Sequence, residues 1–157
     1  MTKNEIMLAY LQQCEGVQQL YLNYGDARAG NALISTVATE SASQAAYVDG
    51  SAPKQLDYSL VWYKPISVLP VRNPATGQYN PVLAELDDVQ SIIDWIEAQN
   101  DAHSLPDFGE DCPVDSIRCL QSVPQLLGID TSYSPALARY TFTVRVEYTD
   151  FTRCIYR

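Results

Sequence analysis

The sequence predicts an α+β fold: a mainly antiparallel sheet with an N-terminal helix and one long amphipathic helix packed on it. Three stretches predict it. "LARYTFTVRVEYT" (Leu137 to Thr149) alternates Tyr140, Phe142, Val144, Val146 and Tyr148 with Thr141, Thr143, Arg145, Glu147 and Thr149. A period of two belongs to a strand with one buried face. "LAELDDVQSIIDWIEAQN" (Leu83 to Asn100) puts Leu86, Val89, Ile93 and Ile96 on one helical face, with Ile92 beside them. In "QLDYSLVWY", Leu56, Tyr58, Leu60 and Trp62 alternate with Asp57, Ser59 and Val61, which marks a second half-buried strand.

The remaining elements follow in chain order. Thr2 and Glu5 have capping-box spacing, and Ile6, Met7, Tyr10 and Leu11 follow a helical period, so a first helix is predicted from about Asn4 to Gln13, stopped by Gly16. "LYLNY" (Leu20 to Tyr24) and the β-branched "ALISTVAT" (Ala32 to Thr39) are predicted strands. Asp49-Gly50 marks the turn of a hairpin spanning Ala45 to Tyr63, with Pro53 lengthening the loop. From Lys64 to Pro81 the pattern lapses: Pro65, Pro70, Pro74 and Pro81 with "NPATG" predict one long irregular loop. "VDSIRCLQSV" (Val114 to Val123) is the next predicted strand. Length and the absence of internal repeats predict a single domain over residues 1–157.

Charge excludes some functions. Ten Lys+Arg against nineteen Asp+Glu give a net charge of −9, which is unsuited to gripping phosphates. No apolar run approaches the length of a membrane span, and "MTKNEIMLAY" has no apolar signal core. Cys14, Cys112, Cys119 and Cys154 show no C-x-x-C spacing, which favours free thiols and a reducing compartment. Eleven tyrosines and only 18% charged residues suit a surface partly covered by protein, because tyrosine brings apolar area with a polar tip. Tyrosines in strands would produce the same count.

"LPDFGEDC" (Leu105 to Cys112) contains the tripeptide that holds magnesium in protein kinases. No Gly-rich loop or His-Arg-Asp catalytic loop accompanies it, so the run is expected to be a helix-to-strand joint with Phe108 as a core anchor. The single histidine, His103, has Asp107 four residues on, but Pro106 interrupts any helix joining them; a loop role is expected rather than acid–base catalysis. No catalytic, cofactor or metal residue is therefore assigned.

Between Arg72 and Arg118 there is no Lys or Arg, while ten of the nineteen acids fall there. Asp87, Asp94 and Asp101 recur every seven residues and form a helical stripe. A solvated helix face and a surface turned towards a partner or channel both fit. A calcium or magnesium site at Asp107, Glu110, Asp111 and Asp115 has oxygen ligands but lacks the spacing of an EF-hand loop.

Four segments together, "EIMLAYLQQC", "YVDGSAPKQLDYSLVW", "IIDWIEAQN…LPDFGEDCPVDSI" and "YSPALARYTFTVRVEY", resemble the tail-terminator ("minor capsid") proteins of long-tailed phages and prophages of Gram-positive bacteria. The resemblance spans most of the chain, and the loop of residues 64–81 matches least. It implies a fold similar to the phage lambda tail terminator and a virion protein at the head–tail junction, assembled in the host cytoplasm. It also implies a hexameric ring that caps the tail tube, docks to head-completion or connector proteins, and lets DNA pass without specific binding. An acidic lumen suits such a channel. The residues expected to face an interface or the channel are Asp87, Asp94, Asp101, Tyr79 and Arg72. Two alternatives stand beside this reading: a head-completion or tail-tube protein, and a small cytoplasmic ligand-binding or metal-dependent enzyme. A ring subunit should carry two apolar patches on opposite sides, whereas an enzyme should carry a deep pocket with convergent polar groups.

Overall fold

A computed structural model of the chain describes residues 2–15, 17, 19–22, 31–36, 41–42, 47–65, 71–72, 79–80, 83–130 and 137–153. The elements are α1 (Lys3–Leu11), β1 (Gln19–Leu22), β2 (Asn31–Thr36), β3 (Ser41–Ala42), β4 (Ala52–Pro65), β5 (Val71–Arg72), β6 (Tyr79–Asn80), α2 (Leu83–Asp101), β7 (Val114–Cys119), β8 (Gln125–Asp130) and β9 (Leu137–Asp150). Seven strands form one sheet in the order β1-β2-β4-β9-β7, with β3 beside β4 and β8 beside β9; β5 and β6 form a separate ladder.

The spine of the sheet is the antiparallel pair β4–β9, in register from Ala52↔Asp150 to Pro65↔Leu137. Alternation puts Leu56, Tyr58, Leu60 and Trp62 on the same face as Tyr140, Phe142, Val144, Val146 and Tyr148, and all nine are buried. Trp62 stacks on Phe142 at 5.2 Å between ring centroids. Burying each of these large side chains contributes about 1.5–3 kcal/mol before conformational entropy is counted. The opposite face is polar and half-exposed. There Asp57 stands directly across from Arg145 and accepts from Nε and Nη2 at 2.9 and 3.0 Å.

The capping box forms as the sequence predicts. The Thr2 amide donates to Glu5 Oε2 at 2.6 Å, and the Glu5 amide donates to Thr2 Oγ1 at 3.3 Å. The buried positions of α1 are Met7, Tyr10 and Leu11. On α2, Val89, Ile92, Ile93 and Ile96 enter the same core cluster.

The α+β class expected from the sequence is nevertheless overturned. The chain is a mainly antiparallel sheet with two short helices as accessories, rather than a helix layer laid on a sheet. The amphipathic period in Leu83 to Asn100 is real, but α2 lies chiefly along β7 at the margin and barely touches β4. The inner rows of β4 and β9, each 14 residues long, form the backbone of the core, and the buried faces of both helices add to it. Helical periodicity reports only that one face is buried, not how much of the sheet the helix covers.

Two boundaries and one pairing also differ. The strand predicted over Val114 to Val123 ends at Cys119, and the chain returns as β8, an additional strand outside those predicted. At the join, the Leu120 amide donates to the Thr143 carbonyl and the Thr143 amide donates to Gln121 Oε1, so a side chain fills one rung of the ladder. β1 and β2 run parallel. Lys64 and Pro65 of the expected irregular loop belong to β4, and residues 66–70, 73–78 and 81–82 lie outside the described residues.

Candidate functional site

β7 and β8 both pair with β9 on the side away from β4, β7 along Val144–Tyr148 and β8 along Leu137–Thr141. Their outer edges are treated differently. The outward amides of β7 meet helix side chains: Ile117 N–H donates to Asn100 Oδ1 at 3.1 Å and Cys119 N–H to Glu97 Oε1 at 3.0 Å. Gln90 Nε2 extends this cover by donating to the Ser122 carbonyl at 2.9 Å. Burial raises the Cys119 thiol pKa to about 12, reinforced by the charges of Glu97 and Asp94.

No described helix side chain caps β8 in this way. Leu126, Leu127 and Ile129 are 46, 54 and 46% exposed, and Leu120 and Val123 in the approach to the strand are 43 and 58% exposed. The register shifts between Leu126 and Gly128, which makes Leu127 a bulged residue and exposes apolar side chains on both faces. Of the devices that blunt a free edge, β8 carries the bulge and a single terminal charge, Asp130, but no Lys or Pro. The sequence signal was a short apolar run, "QLLGID", bounded by Pro124, too brief and glycine-interrupted to stand out by periodicity.

The residues singled out from sequence fall elsewhere. Asp94 and Asp101 are exposed on α2, away from its buried face, and Asp94 Oδ1 accepts from Gln90 Nε2 at 3.1 Å. Asp87 lies in α2, but its side chain is outside the described residues. Arg72 and Tyr79 are register partners in the separate β5–β6 ladder, so backbone pairing joins these two but not the aspartates. Their side chains are likewise outside the described residues.

His103 has a structural role. With φ +53° it occupies the left-handed position that ends α2. Its amide donates to the Asn100 carbonyl, and the Ser104 amide reaches back to the Gln99 carbonyl at 2.9 Å, which is the Schellman pattern. "LPDFGEDC" is the joint between α2 and β7. Gly109 at φ +100° follows an Asp107 turn in which its amide donates to Asp107 Oδ1, and the Phe108 and Tyr148 rings meet edge to face with centroids 5.5 Å apart. Asp115 instead accepts from Thr149 Oγ1. Among the described residues, no three His, Cys, Asp or Glu side chains assemble as a metal site. Cys14, Cys112 and Cys119 are not in disulfides, and Cys154 lies outside the described residues.

A shallow cleft of about 370 Å³ lies between the end of α1 and α2, lined by Gln13, Cys14, Glu15, Ser91 and Trp95. Its one carboxylate, Glu15, is not set against a histidine, lysine or arginine in that lining. No described helix is long and apolar enough to cross a membrane. No protein-family model matches the chain, and a search of curated proteins finds no match.

Proposed function

We propose that this chain is a structural virion protein of the head–tail junction of a long-tailed phage or prophage: a tail terminator whose subunits form a ring, of six copies as its resemblance implies. In this reading the ring caps the tail tube and docks to head-completion proteins. The observation that supports it most is the open apolar edge of β8, standing beside an edge strand that α2 covers. A subunit that works by assembly needs such a surface, and an isolated enzyme does not. The acidic stretch between Arg72 and Arg118 agrees with it, because a channel that passes DNA should not hold phosphates.

The test is genetic and structural. Disrupting the gene in its phage should leave filled heads unattached to overlong tails, and supplying the chain in trans should restore normal tail length and infectivity. Normal tails from the disrupted phage would refute the terminator reading. Tails of normal length that fail to join heads would favour a head-completion protein instead.

A further inference from the structure

β7 borders the sheet, yet its outer edge is closed by a helix rather than by its own sequence. Of the features that blunt an edge strand, Val114–Cys119 has neither Lys nor Pro, and its one register shift falls before Ile117. Its single arginine, Arg118, is engaged on the sheet face, with Nη2 2.8 Å from Glu147 Oε1. The outward amides that a further strand would take are those of Ile117 and Cys119, one rung apart. Each donates instead to a side-chain oxygen of α2, Ile117 to Asn100 Oδ1 and Cys119 to Glu97 Oε1.

The helix is placed for this. α2 runs antiparallel to β7, so that Asn100 meets Ile117, Glu97 meets Cys119, and Gln90 meets Ser122 beyond the strand. A helical turn rises about 5.4 Å and a strand rung about 6.6–6.8 Å, a mismatch that long side chains absorb. Val89, Ile92, Ile93 and Ile96 fasten the helix to the core. Glu97 and Gln90, seven residues apart, lie on the flank of that stripe that reaches the edge. Glu97 is exposed, so it fills no space in the core; it occupies an amide and sets a negative charge where the carbonyl oxygens of an approaching strand would come.

We propose that Glu97 and Asn100 form a guard that stops a second copy of this chain from extending the sheet at β7. Two copies of one edge strand can satisfy each other by pairing antiparallel. With Ile117 of one copy opposite Cys119 of the other, the outward amides of both would find backbone carbonyls, and Arg118, neutralised by Glu147, would stand across from its own copy. The guard takes both amides in advance. It does not depend on the ring reading, because it concerns a contact that the fold prevents, and whatever assembly the wild type forms is the baseline.

Amide exchange and sedimentation velocity of the full chain test it. Glu97→Ala with Asn100→Ala removes both acceptors. At low protein concentration the Ile117 and Cys119 amides of this double variant should exchange roughly tenfold faster than in the wild type, or more, while the amides of β9 stay protected. As concentration rises, the double variant should form a species larger than any the wild type forms, and protection of the two amides should return with it. Glu97→Gln keeps an oxygen in the same place and should match the wild type in both measurements. Unchanged exchange in the double variant at low concentration would overturn the guard. So would rapid exchange at every concentration with wild-type association, or a larger species whose two amides still exchange rapidly. If the double variant does not fold, Glu97→Ala alone, at an exposed position, carries the same test at the Cys119 amide. A wild type that stays monomeric would refute the ring reading and leave the guard standing.

Discussion

At the scale of single residues, His103 and Asp150 carry more than their sequence context suggested. A side chain in the left-handed region costs about 1–2 kcal/mol, and glycine avoids that cost. His103→Gly should therefore raise stability by about 0.5–1 kcal/mol in urea melts, while His103→Val should lower it by about 1–2 kcal/mol. Loss of phage complementation by His103→Gly at unchanged stability would reopen an acid–base role. Burial works to raise the Asp150 pKa but is outweighed by hydrogen bonds from Lys54 Nζ and from the hydroxyl and amide of Thr152, which hold the carboxyl well below the usual range. A carboxylate depressed in the folded state contributes stability that is present above its unfolded pKa of about 3.9 and is lost as pH falls through the folded value. Asp150→Asn should cost about 1–2 kcal/mol at pH 7, with the difference from wild type shrinking progressively below about pH 4. A difference independent of pH in melts from pH 2 to 7 would locate the effect in packing rather than charge.

At the scale of elements, β9 sets the interior. Phe142 is 1% exposed and stacks on Trp62, so Phe142→Ala should destabilise by about 3–5 kcal/mol through lost transfer energy and an unfilled cavity. Thr143 points to the half-exposed face, and the hydrogen bond from its amide to Gln121 survives truncation of the side chain. Thr143→Ala should cost less than about 1 kcal/mol. Chemical denaturation of both variants checks the assignment, and the reverse ranking would contradict it. β7 and β8 show why strand pattern alone does not reveal a contact surface. Both are six-residue strands on β9, yet Asn100 and Glu97 from α2 satisfy amides of β7, and no described helix side chain does so for β8. That difference depends on where a distant helix ends.

At the scale of the whole molecule, α2 carries charge that bears on the proposed assembly. Asp94 and Asp101 are exposed, and Asp101 sits in the last turn, where the helix dipole disfavours an anion and no basic residue compensates. Changing Asp87, Asp94 and Asp101 together to Asn should leave the fold intact. It should also leave association unweakened, or strengthen it at low salt, because like charges on neighbouring subunits repel within roughly 8–10 Å. Sedimentation across a salt series is the measurement. A folded triple variant that no longer associates would place these aspartates inside a subunit contact.

The sequence by itself determined whatever depends on local spacing. It specified the inner and outer rows of β4 and β9, the Thr2–Glu5 capping box, the buried Val89–Ile96 face of α2, and the loop character of "LPDFGEDC". Each follows from a repeat of two or 3.6 residues, or from a side chain that bonds its own neighbouring backbone. Only the tertiary structure decided the fold class, the parallel pairing of β1 with β2, the capping role of His103, and the exposure of β8's apolar side chains. Those outcomes turn on which distant segment arrives beside which. Leu126, Leu127 and Ile129 could as well have been core residues in the sequence; they are surface in the fold, where α2 lies along β7.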